Sequence, residues 1–167
     1  MANFINTTYL KTNTAIEYNV DDDKLVSFIT KAQDIQIQGI LGSDFYDYLQ
    51  GKITANSNTF NADELKLMRE YIQPALAEWT TYYVLPFLAN KVTNKSVVKE
   101  SSQWSNTSDL NELKYLQQTV RDMAEFYLER LTKYMCDNST LFPVYVSATD
   151  DNMSKIKTTY FSGIYLD

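Results

Sequence analysis

Apolar positions along this chain recur at helical rather than alternating spacing for most of its length. From Asp21, a natural N-cap, Leu25, Phe28, Ile29, Ala32, Ile35 and Ile40 follow one another at intervals of three to five, an amphipathic stripe that ends at Gly42. Ser43 is expected to cap a second, shorter helix carrying Phe45, Tyr46, Tyr48 and Leu49, with Gly51 placed to stop it. A third stripe begins near Asn61 and runs through Leu65, Met68, Tyr71, Ile72, Ala75, Leu76, Trp79, Tyr82 and Tyr83. Pro74 falls inside it, so a kink or a restart with Pro74 in the first turn is expected there. Residues 82–89 are apolar on every side, which predicts the centre of the core.

The last long stripe spans residues 109–137, with Asp109 and Glu112 placed as a capping pair. Plotted at about 100° per residue, Leu110, Leu113, Leu116, Val120, Met123, Ala124, Tyr127, Leu128, Leu131, Tyr134 and Met135 form one broad core face. Tyr115 and Phe126 fall on nearly the opposite side, beside Thr119, Asp122 and Lys133. Two readings fit this second aromatic line: it invites another surface, or it tucks under the N-terminal segment. The expected fold class is therefore mainly α, a bundle of about four helices with a long loop or hairpin, an extended N-terminal arm and a C-terminal tail.

The expected organisation has three parts. Residues 1–20, rich in Asn and Thr without a sustained period, form an arm; residues 21–138 form the helical domain; residues 139–167 form a docking tail. Within the domain, residues 91–108 are long for a structureless loop and suit either a functional loop or a β-hairpin. Lys91, Lys95 and Lys99 there suit DNA contact or simple solvation, and Trp104 suits plugging its own fold or a neighbour's. The tail ends in alternating aromatic and apolar residues, Tyr160, Phe161, Ile164, Tyr165 and Leu166, which suit addition of a strand to this fold or to a partner.

Composition narrows the chemistry. There is no histidine, which removes serine and cysteine triads, histidine-containing zinc sites and the commonest general base. The four glycines form no phosphate-binding loop, and the clusters Asp21 to Asp23 and Asp150 to Asp151 lack calcium-loop spacing. No catalytic, cofactor-binding or metal-binding residue is assigned, and the chain is not expected to be an enzyme. A net charge of −6 argues against gripping nucleic acid through phosphates. The single cysteine, Cys136, excludes an internal disulfide and reads as a small buried hydrophobe in a reducing compartment. No apolar run reaches the roughly 18 residues that span a membrane, and no signal peptide is expected. The 13 tyrosines and 8 phenylalanines exceed what a small core needs: some are expected to face partners, or else to roof the core with their hydroxyls in water.

The arrangement of these elements resembles the head-tail connector (adaptor, or head-completion) proteins of tailed bacteriophages. The residues that carry the resemblance are the acidic cap at Asp21 to Asp23, the pair Ala32 and Gln33, the corner at Leu41 and Gly42, the segment YIQPALAEW, the polar loop beginning KVTNKSVVKESSQ, the helix ending RLTKYMCDN and the following LFPVY. They cover about residues 5 to 145, and the chain looks closest to ring proteins of crAss-like gut phages. It departs from the pattern at Ser96, where a glycine is expected after Asn94 and Lys95. The resemblance implies a structural virion protein made in the host cytoplasm and placed at the head-tail junction. It would form a homo-oligomeric, dodecameric ring on the portal protein, meet other tail or ring proteins, and leave a channel through which DNA passes without sequence-specific binding. Trp104, Tyr115, Phe126, Tyr160, Phe161, Ile164, Tyr165 and Leu166 would then be subunit or partner contacts. No cofactor and no membrane association are implied. The rival reading is a regulatory helical-bundle module that binds a partner protein.

Overall fold

The computed structural model describes residues 2–55, 59–92, 97–99 and 110–147, and its class is mainly α. Helix α1 is Thr7–Asn13. Helix α2 runs from residue 22 to residue 41 as three continuous pieces: α-helical Asp22–Ala32, a wide π-helical turn Gln33–Ile37, and Gln38–Leu41. Helix α3 is Ser43–Thr54. Helix α4 runs from residue 62 to residue 89, again with a π-helical turn, Leu67–Ile72, between Ala62–Lys66 and Gln73–Ala89. A short antiparallel hairpin of β1, Asn90–Val92, and β2, Val97–Lys99, pairs Lys91 with Val98. It leads on to the 28-residue α5, Leu110–Asp137, about 42 Å long, and a single 3₁₀ turn then precedes α6, Pro143–Ser147.

Local chemistry explains most of the boundaries. The Asp21 carboxylate accepts from the Asp23 amide at 3.2 Å, so α2 starts where an N-cap was expected. Asn61 and Glu64 form a reciprocal capping box at the start of α4. The corner between α2 and α3 falls at Gly42, with φ 72° and ψ 158°, a conformation essentially reserved for glycine. Gly42 itself, not Ser43, is the N-cap of α3; the Ser43 hydroxyl lies 3.2 Å from the Gln38 side-chain nitrogen, which donates to it. Gly51 does not stop α3, which continues to Thr54 because Lys52, Ile53 and Thr54 carry the helical ladder on and Ala55 closes it.

Pro74 sits in the first turn of the regular segment Gln73–Ala89, directly after the wide turn. Proline donates no hydrogen bond and crowds the carbonyl one turn back, and the π-helical turn loosens the ladder there without breaking the rod. The wide turn in α2 has a second effect. By holding more residues per turn it keeps Gln33, Ile37 and Leu41 on the buried side, and it leaves Ile35, expected in the core stripe, 59% exposed.

Helix α4 is the central element, packed by α2 on one side and α5 on the other, with α1 laid against α2 and α4. Its deepest part is Leu67, Ile72, Ala75, Leu76 and Thr80, centred about three turns earlier than the all-apolar run at residues 82–89 suggested. That run emerges from the body towards the hairpin, and Phe87 is 55% exposed. The core face of α5 is also narrower than expected. Val120, Ala124, Leu131 and Met135 are buried, but Leu116 and Met123, at one edge of the face, remain exposed.

Two terminal segments join the body more closely than the sequence pattern suggests. Residues 1–20 were expected to pack as an extended arm; residues 7–13 instead form α1, capped by Asn6, whose side chain accepts from the Tyr9 amide at 2.7 Å, and anchored by the fully buried Leu10. Beyond α5, Phe142 and Tyr145 turn back onto Phe45 of α3, with ring centroids 5.5 and 5.8 Å away, so residues 139–147 close over the core. Residues 148–167, including Tyr160, Phe161, Ile164, Tyr165 and Leu166, lie outside the described residues, as do Trp104, Lys95 and Asp109.

Candidate interaction surfaces

The outer face of α5 carries the line that the helical periodicity singles out. Tyr115 is 77% exposed and Phe126 60% exposed, with Thr119, Asp122, Glu129 and Lys133 also exposed along the same side. Neither ring tucks under the N-terminal segment. Among the described residues Phe126 meets a ring of its own helix, edge-on to Tyr127 at 5.5 Å. A helix that buries one face well and presents two large rings on the other leaves apolar area in water that a contact would remove.

A second outward line runs along α2 and was not recognised from the sequence. Lys24 and Lys31 are exposed, two turns apart in the regular segment Asp22–Ala32, with the half-buried Phe28, one side of which packs on the core, between them and the exposed Ile35 one turn further on. Phe28 leans on the exposed Phe87 of α4 at 5.1 Å between centroids, and the Lys31 ammonium lies 5.1 Å from the Phe28 ring centre. The usable signal was the 4–3–4 spacing of Lys24, Phe28, Lys31 and Ile35; it is hidden because Phe28 and Ile35 also fit an apolar core stripe.

The third constellation is buried. Gln33, on the core side of α2, accepts from the Phe4 amide at 2.7 Å and donates to the Ala2 carbonyl at 3.1 Å and to the Tyr46 hydroxyl at 2.9 Å. The Tyr46 hydroxyl in turn donates to Asp34 at 2.6 Å, and burial together with that carboxylate pushes the phenol well above its ordinary range. From α4, Gln73 donates to the Phe4 carbonyl at 3.0 Å. Two glutamines thus read the backbone of residues 2–4 as a neighbouring strand would, while the Phe4 ring packs edge-on against Tyr46 at 5.4 Å. Sequence reading noted Gln33 only as part of a resemblance; a polar residue one turn after Ile29 on an apolar stripe was the available clue.

At the start of α4, the buried Glu64 accepts from the Tyr48 hydroxyl at 2.8 Å and the Lys52 ammonium at 2.5 Å. Burial alone would raise its carboxyl, but hydrogen bonds from Lys52, the Asn61 amide and Tyr48 outweigh that and hold it below the usual range. Both carboxylate oxygens accept from groups of the fold itself, which makes the site structural. Among the described residues no group of three or more Asp, Glu or Cys side chains is arranged to hold a metal ion, and no helix is long and apolar enough to cross a membrane.

No curated protein and no solved structure matches the chain. Residues 37–152 match the model of DUF6712, a family of unknown function; because that span is more than half of the chain and takes in α3 to α6, the chain belongs to this family.

Proposed function

We propose that this protein is a ring-forming head-tail connector of a phage particle, a structural subunit seated on the portal that leaves a channel for DNA. The observation that carries the reading is the outward aromatic line of α5: a body whose core is closed by its own residues still presents Tyr115 and Phe126 to water. Further support comes from the sequence resemblance to connector proteins and from the net charge of −6. Walls of like charge let a nucleic-acid backbone pass without sticking. Assembly is the mechanism: helical faces make the ring contacts, and the hairpin region and C-terminal segment reach adjacent proteins of the portal and tail. A dodecamer is the ring size that the resemblance implies.

Phe126→Asp tests it. Placing a charge in a dry contact costs several kcal/mol, roughly enough to abolish it, whereas on the free subunit the side chain already faces solvent. The variant is expected to keep wild-type circular dichroism and melting while failing to enter particles. Normal incorporation, or absence of the wild-type chain from the neck of imaged particles, would count against the connector reading.

A further inference from the structure

The two outward lines match each other. On α5, Asp122, Phe126, Glu129 and Lys133 follow at intervals of four, three and four, so that line carries two carboxylates and one ammonium; on α2, Lys24, Phe28, Lys31 and Ile35 follow at the same intervals. Seven residues are two helical turns in each case, about 10 Å of axial rise, so both carboxylates of one line come opposite both ammonium groups of the other in a single register, with the rings meeting between them. Both carboxylates and the two α2 ammonium groups are exposed. The two lines belong to different helices, each of which packs on α4.

We infer that copies of this chain associate head to tail, the acidic aromatic line of α5 on one copy seating on the basic aromatic line of α2 on the next. The inference rests on the ring reading above and supplies its contact. A contact between two unlike patches on different helices of a subunit is heterologous, the kind that closes into a ring when the rotation per subunit allows. The occupant is a second copy because the opposite charges stand at the same spacing on the two helices and rings of similar size lie between them. Exposed Ile35 and the α4 ring Phe87 extend the apolar part of the α2 side. The charges set register and partner choice, and the rings supply the dry centre.

Charge reversal on the full-length chain tests the contact. Lys31→Glu and Glu129→Lys are each expected to weaken self-association about tenfold or more in sedimentation at low ionic strength, as attraction becomes repulsion. The double variant Lys31→Glu with Glu129→Lys is expected to recover association, and so is an equimolar mixture of the two single variants. Circular dichroism verifies folding, and Lys31→Gln with Glu129→Gln serves as the milder pair if a reversal disturbs the helix. If Glu129→Lys alone weakens association and the double variant stays weak, α5 meets a copy of itself or another protein and the head-to-tail contact is overturned. A wild-type chain that stays monomeric at high concentration and low salt overturns it as well; should that chain still be found in particles, the connector reading survives. Charge-dependent assemblies from a chain absent from particles would sink the connector reading and leave the contact standing.

Discussion

The side chain of Gln33 accepts a hydrogen bond from the backbone amide of Phe4, 29 residues earlier, at 2.7 Å in a fully buried setting. That bond ties the N-terminal segment to α2, and the bond from Gln73 to the Phe4 carbonyl ties the same residue to α4. Replacing Gln33 with Leu fills the space but leaves the Phe4 amide without its acceptor. The expected cost is about 2–3 kcal/mol, because an orphaned buried donor forfeits its full desolvation energy. Thermal melts would give the loss of stability, and hydrogen exchange should speed at the Phe4 amide. An unchanged melting temperature with a still-protected amide would show that the latch is dispensable.

Glu64 makes acid stability a local property. Its carboxyl is held below the ordinary range in the folded chain, so the stabilisation is fully present above the unfolded value, near pH ~4.3, and drains away as pH falls through the lower folded value. The melting temperature is therefore expected to stay level from neutral pH to about 5 and to drop below about 4. In Glu64→Gln the neutral plateau should be lower and the acid decline shallower. A variant whose decline parallels the wild type would place the acid sensitivity elsewhere.

Gly42 allows α2 and α3 to meet at their corner. With φ 72° and ψ 158°, an alanine there would be strained whatever space surrounds it, so Gly42→Ala is expected to cost roughly 1–3 kcal/mol. Gly51→Ala is the control: it lies inside α3 with nothing within 4 Å of an added Cβ, and helix propensity favours the change by up to about 1 kcal/mol. Chemical denaturation of the pair would show opposite signs. Equal effects would contradict the assigned corner.

Phe142 ties the segment that follows α5 to the body. It is buried beside Phe45 and Tyr134, and Phe142→Ala is expected to cost about 3–5 kcal/mol. Ending the chain after Ser147 should leave helix content and stability almost unchanged, whereas ending it after Thr140 should destabilise the fold by at least as much as Phe142→Ala. A loss of stability on the first truncation would mean that residues 148–167 contribute to the body.

Helical periodicity was enough to establish the class, the position of the four longer helices, the Asp21 cap and the outward placement of Tyr115 and Phe126, because each depends on spacing within one element. Packing partners decided the rest. Ile35 carries the mark of a core residue in its spacing, yet a wide turn a few bonds long rotates it into water, and such a turn has no pattern of its own in the sequence. Leu116 and Met123 lie at the edge of the apolar half of α5 and are only partly covered, Leu116 lining a cleft with Ile16, Val20 and Leu85. Residues 2–5 show no period because side chains from two other helices satisfy their backbone, a reason that exists only once those helices are side by side. Likewise Lys24 and Lys31 on α2, and Asp122 and Glu129 on α5, are ordinary charges in the sequence, and only the packing of both helices on α4 leaves all four exposed on one body.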